Sequence, residues 1–118
     1  MTEPGWRVRL GAAAEVDFAN ILRWTADTFG LMQAVTYRDT LVDAIAELAS
    51  GPMASGSQAR DEILPGLRTL HVARRGRRGR HFLLYRIATD RHIEIVRILH
   101  DRMDLPHHLP PATDEPGN

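Results

Sequence analysis

The chain contains no cysteine among its 118 residues. Disulfides, thiolate metal sites and cysteine nucleophiles are excluded at once. Lysine is absent too, so all fifteen basic residues are arginine. That usage follows from GC-rich codons as readily as from a need for planar, bidentate contacts. Aromatic residues make up only 6%. No run approaches the ~20 apolar residues of a membrane span, and the opening MTEPGWRVRL lacks the apolar core of a signal peptide. These absences predict a water-soluble cytoplasmic protein held together by packing. What is present fits that view, because 43% hydrophobic and 25% charged residues are ordinary for a globular chain. The length suits one domain, predicted over residues 1–109. The final PPATDEPGN has no apolar anchor, so residues 110–118 are expected to be a disordered tail.

The net charge of zero hides an uneven distribution. Residues 1–67 hold five arginines against nine acids, residues 68–102 hold ten against three, and the last sixteen hold three acids and no base. A basic C-terminal half points to an anionic or phosphate-bearing partner.

Hydrophobic periodicity supplies the elements. Trp6 to Gly11 alternates bulky apolar residues with arginine, as a short strand does. Phe18, Ile21, Leu22, Thr25 and Phe29 fall on one face of a helix that Gly30 can close. A second stripe runs through Ala34, Tyr37, Leu41, Ala44, Ile45 and Leu48 and stops before Gly51-Pro52. Two helices about one residue apart must fold back as an antiparallel hairpin. Ser50 to Gly66, rich in Gly, Ser and Pro, reads as a loop with at most one helical turn at ARDEI. Three strands are predicted at Leu67–Arg74, Arg80–Ala88 and His92–Leu99, joined as an antiparallel meander. The last is apolar on both faces, which suits an interior strand. The fold class is therefore α+β, in the order β-α-α-β-β-β with a short C-terminal helical segment. The helices cover one sheet face and leave the other open, with the arginines of the strands on it.

Chemistry-bearing side chains gather at the end of the last strand. His100, Arg102, His107 and His108, with Arg68, Tyr85, Arg86 and Arg97 on neighbouring strands, have the residue types of a metal-free acid–base ribonuclease. No spacing fixes a catalytic geometry, and a solvated or partner-covered face explains the same residues. A metal site from His100, His107, His108 and Asp101 or Asp104 is weaker, since adjacent histidines point apart. RRGRRGR, Arg74 to Arg80, has the charge to track phosphates, but no aromatic residue interleaves with it, as base stacking would need. A solvated hairpin tip accounts for it equally. Trp24, at the polar edge of the first helix, fits an interface or packing under the second helix.

Two runs carry a family resemblance. FLLYRI, Phe82 to Ile87, followed by IEIVRILHDRMDLPHHL, Ile93 to Leu109, resembles the C-terminal signature of ParE toxins, of the RelE/ParE superfamily of type II toxin–antitoxin systems. EVDFANILRW, TFG and GLR agree in order, so the resemblance spans about residues 6–109. It implies a toxin neutralised by an acidic, amphipathic ParD-like antitoxin in a hetero-oligomer, through salt-sensitive contacts at Arg86 and Arg97. ParE members trap DNA gyrase on broken DNA, whereas RelE members cleave mRNA on the ribosome. The two branches share a fold but not a site. Where cleaving relatives place an early third-strand arginine, this chain has Phe82, so the resemblance implies a gyrase poison rather than an enzyme. It implies no cofactor, no metal, no membrane contact and no sequence-specific nucleic-acid binding. The alternative is a RelE-type nuclease built on Arg68, Arg102 and His108, and a non-toxic binding module is a further one. Contact with target or antitoxin is expected at Trp24, Arg68, Tyr85, Arg86 and Arg97. The same is expected of His100, Arg102, Met103, His107 and His108.

Overall fold

The computed structural model describes residues 5–102. Strand β1 (Arg7–Leu10) passes through Gly11 into helix α1 (Ala12–Phe29), and Gly30 alone separates α1 from α2 (Leu31–Glu47). Gly30 sits at φ 101°, a conformation open to glycine at little cost, and this lets two long helices reverse within one residue. A 3-10 turn (Leu48–Ser50) ends the hairpin. Strands β2 (Gln58–Ala59), β3 (Arg68–His71), β4 (His81–Thr89) and β5 (His92–His100) follow.

The five strands form one sheet in the order β1-β5-β4-β3-β2. The predicted antiparallel meander is present as β3, β4 and β5. The N-terminal strand joins it in parallel, with Val8 opposite Ile93 and Leu10 opposite Ile95. β5 is thus an interior strand, which accounts for its apolar residues on both faces. The fold is α+β, two helices on a mixed five-stranded sheet.

Leu41, Ala44 and Leu48 of the hairpin pack on Leu70, Val72, Leu83, Tyr85, Ile93, Ile95 and Ile98. The alternate residues point the other way, and there the expectation of an open basic face fails. Leu67, Leu84 and Leu99 are buried in a second cluster with Ile63, Phe82 and Val96. Ile63 comes from a single turn in which its N–H and that of Leu64 donate to the Arg60 carbonyl. The expected loop also contributes β2, which pairs Gln58 with Thr69 and Ala59 with Arg68. A two-residue strand is too short to leave an alternating pattern. Phe29 is a further correction: although it continues the apolar stripe of α1, it stands 60% exposed at the hairpin tip. The predicted C-terminal helical segment and the tail lie outside the described residues.

Candidate functional site

The residues expected to share one partner-binding face separate into four places. Tyr85 is fully buried, and its hydroxyl donates to the Pro52 carbonyl at 2.7 Å. Arg68, opposite Tyr85 across the β3–β4 pair, donates to the same carbonyl at 3.0 Å and to Ser57 Oγ at 2.7 Å. Both therefore anchor the loop after α2. Arg97 turns toward α1 and meets Asp17 with both arms of its guanidinium, at 2.7 and 3.0 Å. Arg86 is exposed and pairs with Glu94 across β4 and β5 at 3.0 Å. Arg102 is exposed, and its N–H donates to His100 Nδ1. Met103, His107 and His108 lie outside the described residues.

The acidic and basic halves of the chain meet each other in part. Besides Asp17–Arg97, Asp43 of α2 pairs with Arg77 at 2.6 Å, and Glu47 of α2 pairs with Arg74 and Arg75. The arginine-rich β3–β4 hairpin is therefore docked along the acidic side of α2 rather than waving in solvent. Its approach is close at Gly79, where a Cβ would lie 2.5 Å from Val72 Cγ2 and 3.1 Å from the Tyr37 hydroxyl. Only a residue without a side chain fits there.

Docking creates a cleft of about 830 Å³ between this hairpin and the tip of the helical hairpin. Trp24 and Phe29 form one wall, with their rings edge to face at 5.6 Å, and Trp24 is 60% exposed. Arg77, Arg78 and Arg80 come from the facing hairpin, while Tyr37, His81 and His100 join them at the sheet end. Two residues expected at a binding surface, Trp24 and His100, are thus brought together. The others, Phe29, Tyr37, Arg78, Arg80 and His81, were not readable as a site. Their nearest sequence signal is the length of the β3–β4 hairpin, far longer than a tight turn needs.

At the sheet end the Arg80 N–H donates to the Tyr37 hydroxyl at 3.0 Å, and that hydroxyl lies 2.7 Å from His81 Nδ1. With the Arg80 N–H on one of its lone pairs, the hydroxyl can donate its own proton to Nδ1 of a neutral His81. Burial, with His100 beside it, depresses the His81 pKa to about 4, and burial raises that of Tyr37. His71 takes its Nδ1 proton acceptor role from the Ala73 N–H, so its Nε2–H donates to Asp101 at 3.0 Å. That bond holds the Asp101 carboxyl below its ordinary value. A histidine whose folded pKa is depressed binds fewer protons than in the unfolded chain. Stability should therefore fall as pH drops from about 6.5 toward 4. Allowing for partial solvent access, the loss attributable to His81 is ~1–2 kcal/mol. Urea midpoints of the wild type and His81→Gln, measured between pH 7 and 4, should converge as pH falls. Parallel curves would contradict the role given to His81.

Among the described residues no group of three or more His, Asp or Glu side chains is placed to hold a metal ion. Asp104, His107 and His108, which the metal reading needs, lie outside them. No helix among the described residues is long and apolar enough to cross a membrane.

Comparison with known proteins gives a consistent picture. The family model described as "ParE toxin of type II toxin-antitoxin system, parDE" matches residues 8–105. The chain is 37% identical over 103 residues to Toxin ParE1 of Mycobacterium tuberculosis, in strains CDC 1551 and H37Rv, covering 87% of this chain and 97% of the relative. A solved structure of the chromosomal ParDE system from P. aeruginosa aligns with a TM-score of 0.64 at 20% identity. That alignment covers 83% of this chain and 98% of the other.

Proposed function

Because the chain belongs to the ParE family of type II toxin–antitoxin toxins, we propose that it inhibits DNA gyrase in the cytoplasm and is held in check by a ParD-like antitoxin. On this reading the pair stabilises the replicon that carries it, as plasmid-stabilising toxin–antitoxin pairs do. The observation that carries the choice of gyrase over mRNA cleavage is the state of Arg68 and Phe82. The nuclease alternative needs Arg68 to hold a phosphate, yet its guanidinium is bonded to Pro52 and Ser57 inside the fold. Phe82 packs in the second apolar cluster, where the cleaving branch places a phosphate-binding arginine. A ribonuclease deprived of one such arginine typically loses several kcal/mol of transition-state stabilisation.

On the same reading the antitoxin lies along the outer side of α2. Leu31, Val35 and Val42, at spacings of four and seven, form a narrow exposed stripe, and Met32 beside it is 82% exposed. Such a stripe is the complement of one amphipathic helix. Arg97, turned onto Asp17, is not among the contacts on this reading.

Purified protein added to gyrase and DNA should reduce supercoiling and accumulate cleaved DNA, while translating extracts should keep their mRNA intact. His108→Gln should remain toxic. Specific mRNA cuts that disappear in His108→Gln would move the chain to the nuclease branch. Val35→Asp should weaken antitoxin binding at least about tenfold, as loss of a central apolar contact does. Unchanged binding would place the antitoxin elsewhere.

A further inference from the structure

We propose that the cleft between the Trp24–Phe29 wall and the β3–β4 hairpin binds single-stranded nucleic acid, taking an unpaired base against Trp24 and phosphates on Arg78 and Arg80. The site lies off the α2 stripe assigned to the antitoxin, and the inference does not depend on which target the toxin poisons.

Charge is the first argument. Three arginines line the cleft, and no carboxylate does so among the described residues. Acids in the surroundings are already engaged, Asp43 by Arg77, Asp101 by His71 and Asp17 by Arg97. Arg78 has no hydrogen bond or ion pair within the described residues, and its side chain is exposed. An anion entering here meets positive charge in a lining that holds no carboxylate among the described residues.

The aromatic wall is the second argument. RRGRRGR has no aromatic residue within it, but the fold sets Trp24 and Phe29 across the cleft from it. Phe29 meets Trp24 edge to face and steadies it, while most of the indole remains open. A basic groove with an open aromatic ring is the combination that binds unpaired bases without strong sequence preference. A base paired in a duplex cannot present its face to Trp24. Polar side chains between the two walls, among them Gln33, Thr36 and neutral His81, can meet base edges without adding charge. The volume, about 830 Å³, lies within the ~300–1,000 Å³ of clefts that enclose organic ligands.

Rigidity is the third. The hairpin is fixed to α2 through Arg77–Asp43, through the Arg80 N–H on Tyr37 and through the close approach at Gly79. The two walls are therefore held before any ligand arrives, which lowers the ordering cost of binding.

Fluorescence anisotropy of the full-length protein with labelled oligo-dT and mixed-sequence RNA of ~12 nucleotides tests the proposal. Dissociation constants of ~1–100 μM are expected, weakening steeply between about 50 and 200 mM salt. Trp24→Leu should weaken binding about tenfold. Arg78→Ala and Arg80→Ala should each lower the slope of log affinity against log salt by ~0.7. Arg38→Ala, an exposed arginine outside the cleft, removes the same charge and should change neither quantity. A duplex of equal length should compete poorly. Binding untouched by Trp24→Leu, or equally weakened by Arg38→Ala, would reduce the effect to general surface charge and overturn the site. Competition by AMP at equal concentration would make it a free-nucleotide site, and competition by an acidic peptide of equal length a protein-docking site. Either result overturns the proposal as well.

Discussion

Replacing Leu41 with alanine is expected to lower the unfolding free energy by ~2–5 kcal/mol. Leu41 is 0% exposed and lies in the cluster that joins the helical hairpin to β3, β4 and β5. Truncation removes its buried surface and leaves a cavity that the rigid sheet cannot fill by collapse, and both terms have the same sign. For a domain of this size the melting temperature should drop by roughly 10–20 °C. Phe29→Ala supplies the contrast. Phe29 continues the apolar stripe of α1 as regularly as Leu41 does that of α2, but its exposure predicts a change within about 1 kcal/mol. Thermal melts of the two variants, side by side, distinguish burial from periodicity. A mild Leu41→Ala together with a severe Phe29→Ala would mean that α1 and α2 sit in another register on the sheet.

That contrast also marks the boundary of what the residues reveal on their own. Helical and strand periods are local, and the positions of α1, α2, β4 and β5 follow from them closely. The inward residues of α2 are those its stripe predicts, with the addition of Thr40, whose hydroxyl is satisfied by the Thr36 carbonyl. Phe29 departs because the tip of a long helical hairpin overhangs the sheet, and overhang depends on the relative lengths of distant elements. Tyr85 and Arg68 depart for a different reason. Both carry polar atoms, and polar atoms suggest a surface until the Pro52 carbonyl is brought to them by a loop with no periodic pattern. Family resemblance supplied the fold and the toxin class but not these roles. The cleft was the least legible feature. Its walls come from residues 24–29 and 76–81, and the docking of the hairpin on α2, through Asp43, Glu47 and Tyr37, sets them opposite each other. Opposite charge in two halves of a chain signals an external partner or an internal one with equal force, and here much of it is internal.

The second large effect is expected at Asp17. β1 ends at Leu10, whose partner is Ile95, so the edge of β5 beyond that point lacks a neighbouring strand. Asp17, in the second turn of α1, takes the strand's place. Its carboxylate accepts the Ile98 N–H at 2.9 Å and both guanidinium arms of Arg97. Asp17 also raises the Arg97 pKa above its ordinary value, through that hydrogen bond first. The side chains are 14% and 23% exposed, so water screens the pair only in part. Asp17→Ala removes the acceptor from a main-chain donor and from a mostly buried cation together, a loss of ~2–4 kcal/mol. Asp17→Asn keeps an oxygen for Ile98 and should lose roughly half of that. Arg97→Ala removes the charge but leaves the strand edge satisfied, so it should be milder than Asp17→Ala. The double variant should then be less destabilised than the sum of the two, with a coupling of ~1–2 kcal/mol in urea denaturation. Strict additivity would show that the two side chains do not act as a unit. A further consequence concerns binding: once the loss of folded protein is corrected for, Arg97→Ala should leave antitoxin affinity unchanged, whereas a partner-facing Arg97 would weaken it directly.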